Sequence, residues 1–177
     1  MKLSEERQIA ADPATVWAAI LNPEELKQCV PGCESLTGSV ADGFEAEVVQ
    51  KVGPVKARFA GKVTFSDIVE GKGLRISGEG KGGVAGFAKG SANMTLTPAD
   101  GGGTTLAYEV DATVGGKIAQ LGSRIIDGFA KMMAEQFFDR FQNAVEAPTE
   151  EPSIEEAERD ATDGETKTKG WFKRLIG

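Results

Sequence analysis

The chain has 177 residues, carries a net charge of −7 and contains no histidine. That absence removes the usual general base, the usual activator of Ser or Cys nucleophiles and the commonest metal ligand, so hydrolase and metalloenzyme readings recede and only a Glu, Lys or Tyr base is left. The body of the chain is mildly acidic and lacks a basic stripe interleaved with aromatics, which argues against nucleic-acid binding.

Residues 2–9 read as a strand. Asp12-Pro13 then supplies an N-cap followed by proline at the first helical position, and Val16, Trp17 and Ile20 share one side of the helix that follows. Asn22-Pro23-Glu24-Glu25 repeats the signal for a second short helix ending near Gln28, and Pro31-Gly32 turns the chain out of it. Cys29 and Cys33 flank that turn. Their spacing suits neither a thioredoxin-type pair nor, without histidine, a zinc site, so they read as structural thiols.

From residue 43 to 114 the apolar period is two, as in Ala57, Phe59, Gly61, Val63 and Phe65 against Lys56, Arg58, Lys62 and Thr64. These are antiparallel strands with one buried face. Residues 117–145 return to a helical period, with Ile118, Leu121, Ile125, Phe129, Met133, Phe137 and Phe141 as the apolar stripe. The predicted class is α+β: a curved antiparallel sheet of six to seven strands around a long C-terminal helix, with two short helices after strand 1. One domain is expected over 1–145.

The inward phase of the sheet is unusually small: beside Phe59, Phe65, Met94 and Tyr108 it offers Ala57, Gly61, Gly78, Ala88, Gly90, Ala92 and Ala112. Glycine inside a strand costs about 0.5–1 kcal/mol against alanine, so a geometric reason is required: strand curvature, or room for an apolar ligand between sheet and helix. Phase alone assigns Phe59, Phe65, Met94, Tyr108, Leu121, Ile125 and Phe129 to such a cavity, with Trp17 and Phe87 nearer an opening. Leu at Gly90 or Ala92 is expected to fill the space with the fold intact. Gly78-Glu79-Gly80-Lys81-Gly82-Gly83 satisfies G-x-G-x-x-G, yet the chain continues as strand instead of opening a helix, so it reads as a glycine-rich hairpin and not as a dinucleotide site. Tyr108 and Asp67 are the acid–base candidates on inward phases.

The tail changes sign. Residues 146–166 carry nine Asp/Glu against Arg159, whereas 167–177 carry four Lys/Arg and no acid, leaving −3 on the first 145 residues. The acidic run with Pro148 and Pro152 reads as a disordered linker spanning about 25 Å when flexible. The final segment places Trp171, Phe172, Leu175 and Ile176 on one side of a short helix and Lys173 and Arg174 on the other, with Lys167 and Lys169 upstream. It is far shorter than the about 20 residues that cross a bilayer, so it suits an interfacial anchor on anionic lipid or a docking peptide for a protein partner. The charged N-terminus and the lack of a long apolar run point to the cytoplasm, with peripheral attachment to the inner face of the cell membrane.

Asp12-Pro13-Ala14-Thr15-Val16-Trp17 resembles the first-helix entry of the START-like superfamily, whose helix-grip fold holds hydrophobic molecules between a curved sheet and a long helix. Pro31-Gly32-Cys33-Glu34, Gly53-Pro54-Val55-Lys56-Ala57-Arg58-Phe59, Gly86-Phe87-Ala88-Lys89-Gly90 and Val114-Gly115-Gly116-Lys117-Ile118-Ala119-Gln120-Leu121-Gly122 resemble the CoxG family of carbon monoxide dehydrogenase more closely, over residues 1–145. The resemblance implies a non-catalytic accessory protein of a molybdenum hydroxylase such as carbon monoxide dehydrogenase, linking that enzyme to the cytoplasmic membrane. With the cavity and the anchor, it implies carriage of a respiratory quinone, menaquinone or ubiquinone. An assembly or scaffold factor without ligand is the alternative, and a polyketide-cyclase-like enzyme a more distant one.

Deleting 167–177 is expected to abolish binding to anionic liposomes without moving the thermal midpoint, as measured by co-sedimentation and calorimetry. Trp171→Ala with Phe172→Ala should remove the part of the binding that survives high salt, since only the basic contribution is screened.

Overall fold

The computed structural model describes residues 1–147. Strand β1 (Lys2–Ile9) leads into helices α1 (Pro13–Ile20) and α2 (Pro23–Cys29), then strands β2 (Cys33–Ser39), β3 (Gly43–Val52), β4 (Val55–Val69), β5 (Gly73–Lys81), β6 (Phe87–Pro98) and β7 (Thr104–Gly115), and finally helix α3 (Ser123–Glu146). The sheet is antiparallel throughout, in the order β1-β7-β6-β5-β4-β3-β2. Strands β2 to β7 are therefore a simple meander, and β1 returns beside β7 to complete it. The α+β class, the two early helices and the closing helix agree with the sequence.

Both short helices start as their caps dictate: the Asp12 side chain accepts from the Thr15 N–H at 2.8 Å and Asn22 from the Glu24 N–H at 3.0 Å, each followed by proline. The Asp12 hydrogen bonds with Thr15 hold its carboxyl below the ordinary carboxylate value. Val16, Trp17 and Ile20 of α1 and Cys29 of α2 enter the main core with Leu74, Met94, Leu96, Leu106 and Tyr108.

Two elements differ from the sequence expectation. Strand β2 precedes the alternating region: it is an edge strand, paired only with β3 and shifted in register between Cys33 and Ser35, so it has little apolar pattern to announce it. The long helix begins at Ser123, six residues later than 117. Lys117–Leu121 form a separate 3-10 turn, and Gly122, at φ 95°, stands between the two in a left-handed conformation that breaks the ladder. Glu146, assigned by sequence to the acidic linker, is the last residue of α3, where its carboxylate accepts from the Ala10 N–H at 2.7 Å.

The C-terminal half of α3 is fastened to the sheet. Phe138 stacks on Tyr108 with centroids 4.6 Å apart, Phe141 is fully buried, Arg7 sits over the Phe138 ring at 5.6 Å and pairs with Asp139 at 3.0 Å, and Gln142 donates to the Gln8 carbonyl at 2.9 Å.

Tyr108 is the chain's single tyrosine. Its hydroxyl donates to Glu5 at 3.1 Å, and burial, followed by the Glu5 charge, pushes its pKa up to about 12. The folded state thus favours the neutral phenol: stability is intact below the ordinary value near 10 and is lost as pH rises toward 12. Tyrosinate absorbance should therefore titrate about two units higher in the native protein than in denaturant, and Tyr108→Phe should flatten the decline in stability over that window.

Candidate functional site

Side-chain size changes along the inner face of the sheet row by row. Leu74, Met94 and Tyr108 lie in one cross-strand row, and Phe65, Ile76, Ala92, Val110 and Leu3 in the next. Beyond them come Val63, Gly78, Gly90 and Ala112, and then Gly61, Gly80, Ala88 and Val114. The first row faces the fastened half of α3 and fills the space, and in the second Phe65 and Ile76 pack against the core while Val110 and Leu3 reach the edge of a void. The small rows face its N-terminal half, where Ile126, Phe129, Ala130, Met133 and Ala134 leave an apolar cavity of about 410 Å³. Val48, Val52, Phe59 and Ile118 complete its wall.

This volume lies within the range of small-molecule sites, about 300–1,000 Å³. At about 24 cal/mol per Å³, the same void closed and empty would cost about 10 kcal/mol, comparable with the whole stability of a domain. A chain that only needed a packed core would have filled it with leucine. One polar side chain reaches the wall: Gln50, whose amide donates to the Pro31 carbonyl and is thereby held in place. The remaining depressions, such as that between Glu45, Glu47, Lys62, Glu79 and Lys81, are polar grooves on the outer face of the sheet.

Of the residues assigned to the cavity by phase, Phe59 and Phe129 line it. Leu121 and Ile125 pack instead at the β3–β4 turn, within 4 Å of where a side chain on Gly53 would begin, and Ile125 is 43 % exposed. Tyr108, Met94 and Trp17 belong to the filled core, and Phe65 lies edge-on to Phe44 with centroids 5.2 Å apart. Phe87 is at the surface with its ring over Gly115. Phe59, Phe65, Met94 and Tyr108 do take the inward face, whereas Phe87 takes the outward phase of β6; alternation says which face a residue takes and not how far along the strand the helix descends. Val48 and Gln50 were legible as inward neighbours of Val52. Ile126, Ala130 and Ala134 were missed because each stands one position beyond the Ile125, Phe129 and Met133 stripe, about 100° round the helix, and two of them are alanines that a stripe of large residues passes over.

The glycine-rich 78–83 stretch is the end of β5 and the turn into antiparallel β6, with no helix after it. Asp67 is exposed at a bulge on β4, separated from Tyr108 by two strands, so the two acid–base candidates are not brought together. Burial raises the thiol pKa of both Cys29 and Cys33, which are unbonded and lie away from the cavity. Among the described residues no group of three or more His, Cys, Asp or Glu is placed to hold a metal, and no helix is long and apolar enough to cross a membrane. Lys167, Lys169, Trp171, Phe172, Lys173, Arg174, Leu175 and Ile176 lie outside the described residues.

The family model for CoxG, a subunit of carbon monoxide dehydrogenase, matches residues 6–146. No curated protein matches the chain. Among solved structures, a conserved protein from Geobacillus kaustophilus is 28 % identical, with 82 % of this chain and 95 % of that one covered and a TM-score of 0.77. A START superfamily protein from Mycobacterium smegmatis is 16 % identical over 82 % of this chain and 97 % of that one, at a TM-score of 0.61. A Chromobacterium violaceum protein is 19 % identical over 83 % and 99 %, also at 0.61. The last two establish the START-like fold alone.

The geometry corrects the expectation for Gly90. A Cβ there would stand 2.5 Å from the Asp111 carbonyl oxygen and 2.9 Å from Ala112, a backbone collision, whereas one on Gly80 would meet nothing nearer than 3.9 Å. Gly90→Leu is therefore expected to lower the thermal midpoint by more than about 5 °C, as a change of about 1–2 kcal/mol would for a domain of this size. Gly80→Leu, pointing into the cavity, should keep the midpoint and lose the internal volume, which xenon binding or a crystal structure of the variant measures.

Proposed function

The chain belongs to the CoxG family of carbon monoxide dehydrogenase, and on that premise we propose that it is a non-catalytic carrier of a lipophilic molecule, a respiratory quinone, serving a molybdenum hydroxylase of the carbon monoxide dehydrogenase type. The observation that carries this reading is the cavity. Its wall is aliphatic and aromatic on every side except Gln50, which suits a flat apolar ring with one or two carbonyl acceptors. Burial of such a ring is favourable at about 25 cal/mol per Å² of apolar surface, and the tethered Gln50 amide keeps one N–H for a ligand carbonyl. Phe59 and Phe129 supply the aromatic surface, and Ala130 and Ala134 leave the width.

The family description supplies the partner, and the basic, aromatic segment over 167–177 supplies the tether to the cytoplasmic membrane, from which a quinone would be drawn. In this reading the protein performs no chemistry. It shields an insoluble electron carrier from water between the bilayer and the enzyme.

Native mass spectrometry of the full chain purified from a quinone-producing host is expected to show a bound menaquinone or ubiquinone at a stoichiometry approaching one. Gly80→Leu and Ala130→Leu should each reduce that occupancy at least tenfold, about 1.4 kcal/mol in binding, with an unchanged thermal midpoint. A protein that purifies free of lipid, and whose variants support the dehydrogenase as well as the parent does, would refute carriage and favour a scaffold.

A further inference from the structure

Three connections meet at one end of the sheet: the β3–β4 turn, the link from β5 to β6 and the link from β7 to α3. Val52, Ala85 and Ile118, one from each, are buried together over Phe59, Val114 and Phe129, so these turns form the roof of the cavity. The same connections carry exposed apolar side chains: Val84 is 93 % exposed, and Phe87, with its ring over Gly115, and Ile125, near Gly53, are exposed too. The same three stretches, 51–56, 81–89 and 115–125, hold Lys51, Lys56, Lys81, Lys89, Lys117 and Arg124 and no acid, whereas the rest of 1–146 holds nine Lys/Arg against nineteen Asp/Glu. All six cations are exposed and none forms an ion pair among the described residues; Lys81 and Lys89 flank Glu79 on the outer face, while Lys51, Lys56, Lys117 and Arg124 have no such neighbour in their own stretches. The opposite end presents Asp12, Asp42, Glu70 and Asp100 on its turns and Asp67 at the β4 bulge, with Lys72 as the cation on those turns. Ile68 and Val69 are exposed at that end too, but inside an acidic surround.

We infer that the folded domain adds a second contact to the one made by its tail: once the tail holds the chain at the bilayer, the turns over the cavity dock on anionic lipid, with Val84 entering the interface and the cations around it contacting headgroups. Charge polarity selects this occupant: an anionic surface attracts the cavity end and repels the far end, so it orients the molecule as well as holding it. Val84 stands at the tip of a three-residue turn between glycines, with nothing among the described residues to cover it, which is unfavourable in water and fits shallow insertion. The inference rests on the carrier reading for its purpose, since it sets the cavity roof against the source of the ligand, but its evidence is separate.

The test uses the full chain with Cys33→Ser, leaving only buried Cys29, and an environment-sensitive fluorophore on Val84→Cys or, as control, on Ala41→Cys in the far β2–β3 turn. With vesicles of equal parts phosphatidylglycerol and phosphatidylcholine, the label at 84 should shift to the blue and the label at 41 should not. Vesicles of phosphatidylcholine alone should shift neither. Lys51→Glu with Lys117→Glu should weaken the response at 84 at least tenfold although the tail is intact. No shift at 84 while the chain co-sediments with vesicles, equal shifts at both positions, or no binding to vesicles at all would each overturn the docking. Quinone occupancy, read by mass spectrometry on the same preparations, fails or holds independently: a filled cavity with a silent label at 84 refutes this surface and spares the carrier.

Discussion

The architecture depends on where α3 is fastened. Its last three turns are held on the sheet by Phe138 against Tyr108, by Phe141 in the core, and by Arg7, which contributes a cation over the Phe138 ring and an ion pair to Asp139 at once. The Gln142 and Glu146 side chains then hydrogen-bond the end of β1. Because the helix is stiff, anchoring one half fixes the height of the other above the sheet. The rows beneath that other half end in glycine and alanine, so the gap cannot be closed by collapse, and the cavity is maintained by the packed half of the molecule.

This division separates stability from function within one sheet. Aromatic stacking and close packing near Tyr108 provide the folding free energy, and the small rows toward the turns provide volume. Substitutions in the two regions should have opposite consequences: truncation in the first destabilises, and enlargement in the second fills space that the native core does not use. Gly90 marks the border. It stands in a small row, but β7 approaches its backbone so closely that no side chain fits.

Charge follows the same axis. A protein with a net negative charge would ordinarily be repelled by an anionic surface, yet its cations are concentrated on the turns above the cavity and its acids on the far turns and the outer face. The cavity, its roof and the cationic rim are thus one construction, assembled from three segments about thirty residues apart in the chain. Net charge alone conceals this.

The sequence by itself determined the fold class, both helix starts and the inward phase of β4, β6 and β7, because caps, prolines and a period of two are local and survive any tertiary context. It also determined the family, through motifs that surround turns. It could not place β2, an edge strand whose pairing is on one side only, nor the start of α3, where Gly122 at positive φ interrupts a run whose composition remains helical. Only the tertiary structure decided which inward residues face a void: Phe59 and Met94 share a phase, but one lies under the open half of the helix and the other under the packed half. The height and register of α3 over the sheet set that difference, and they arise from contacts between residues more than a hundred positions apart, such as Arg7 with Asp139 and Ala10 with Glu146.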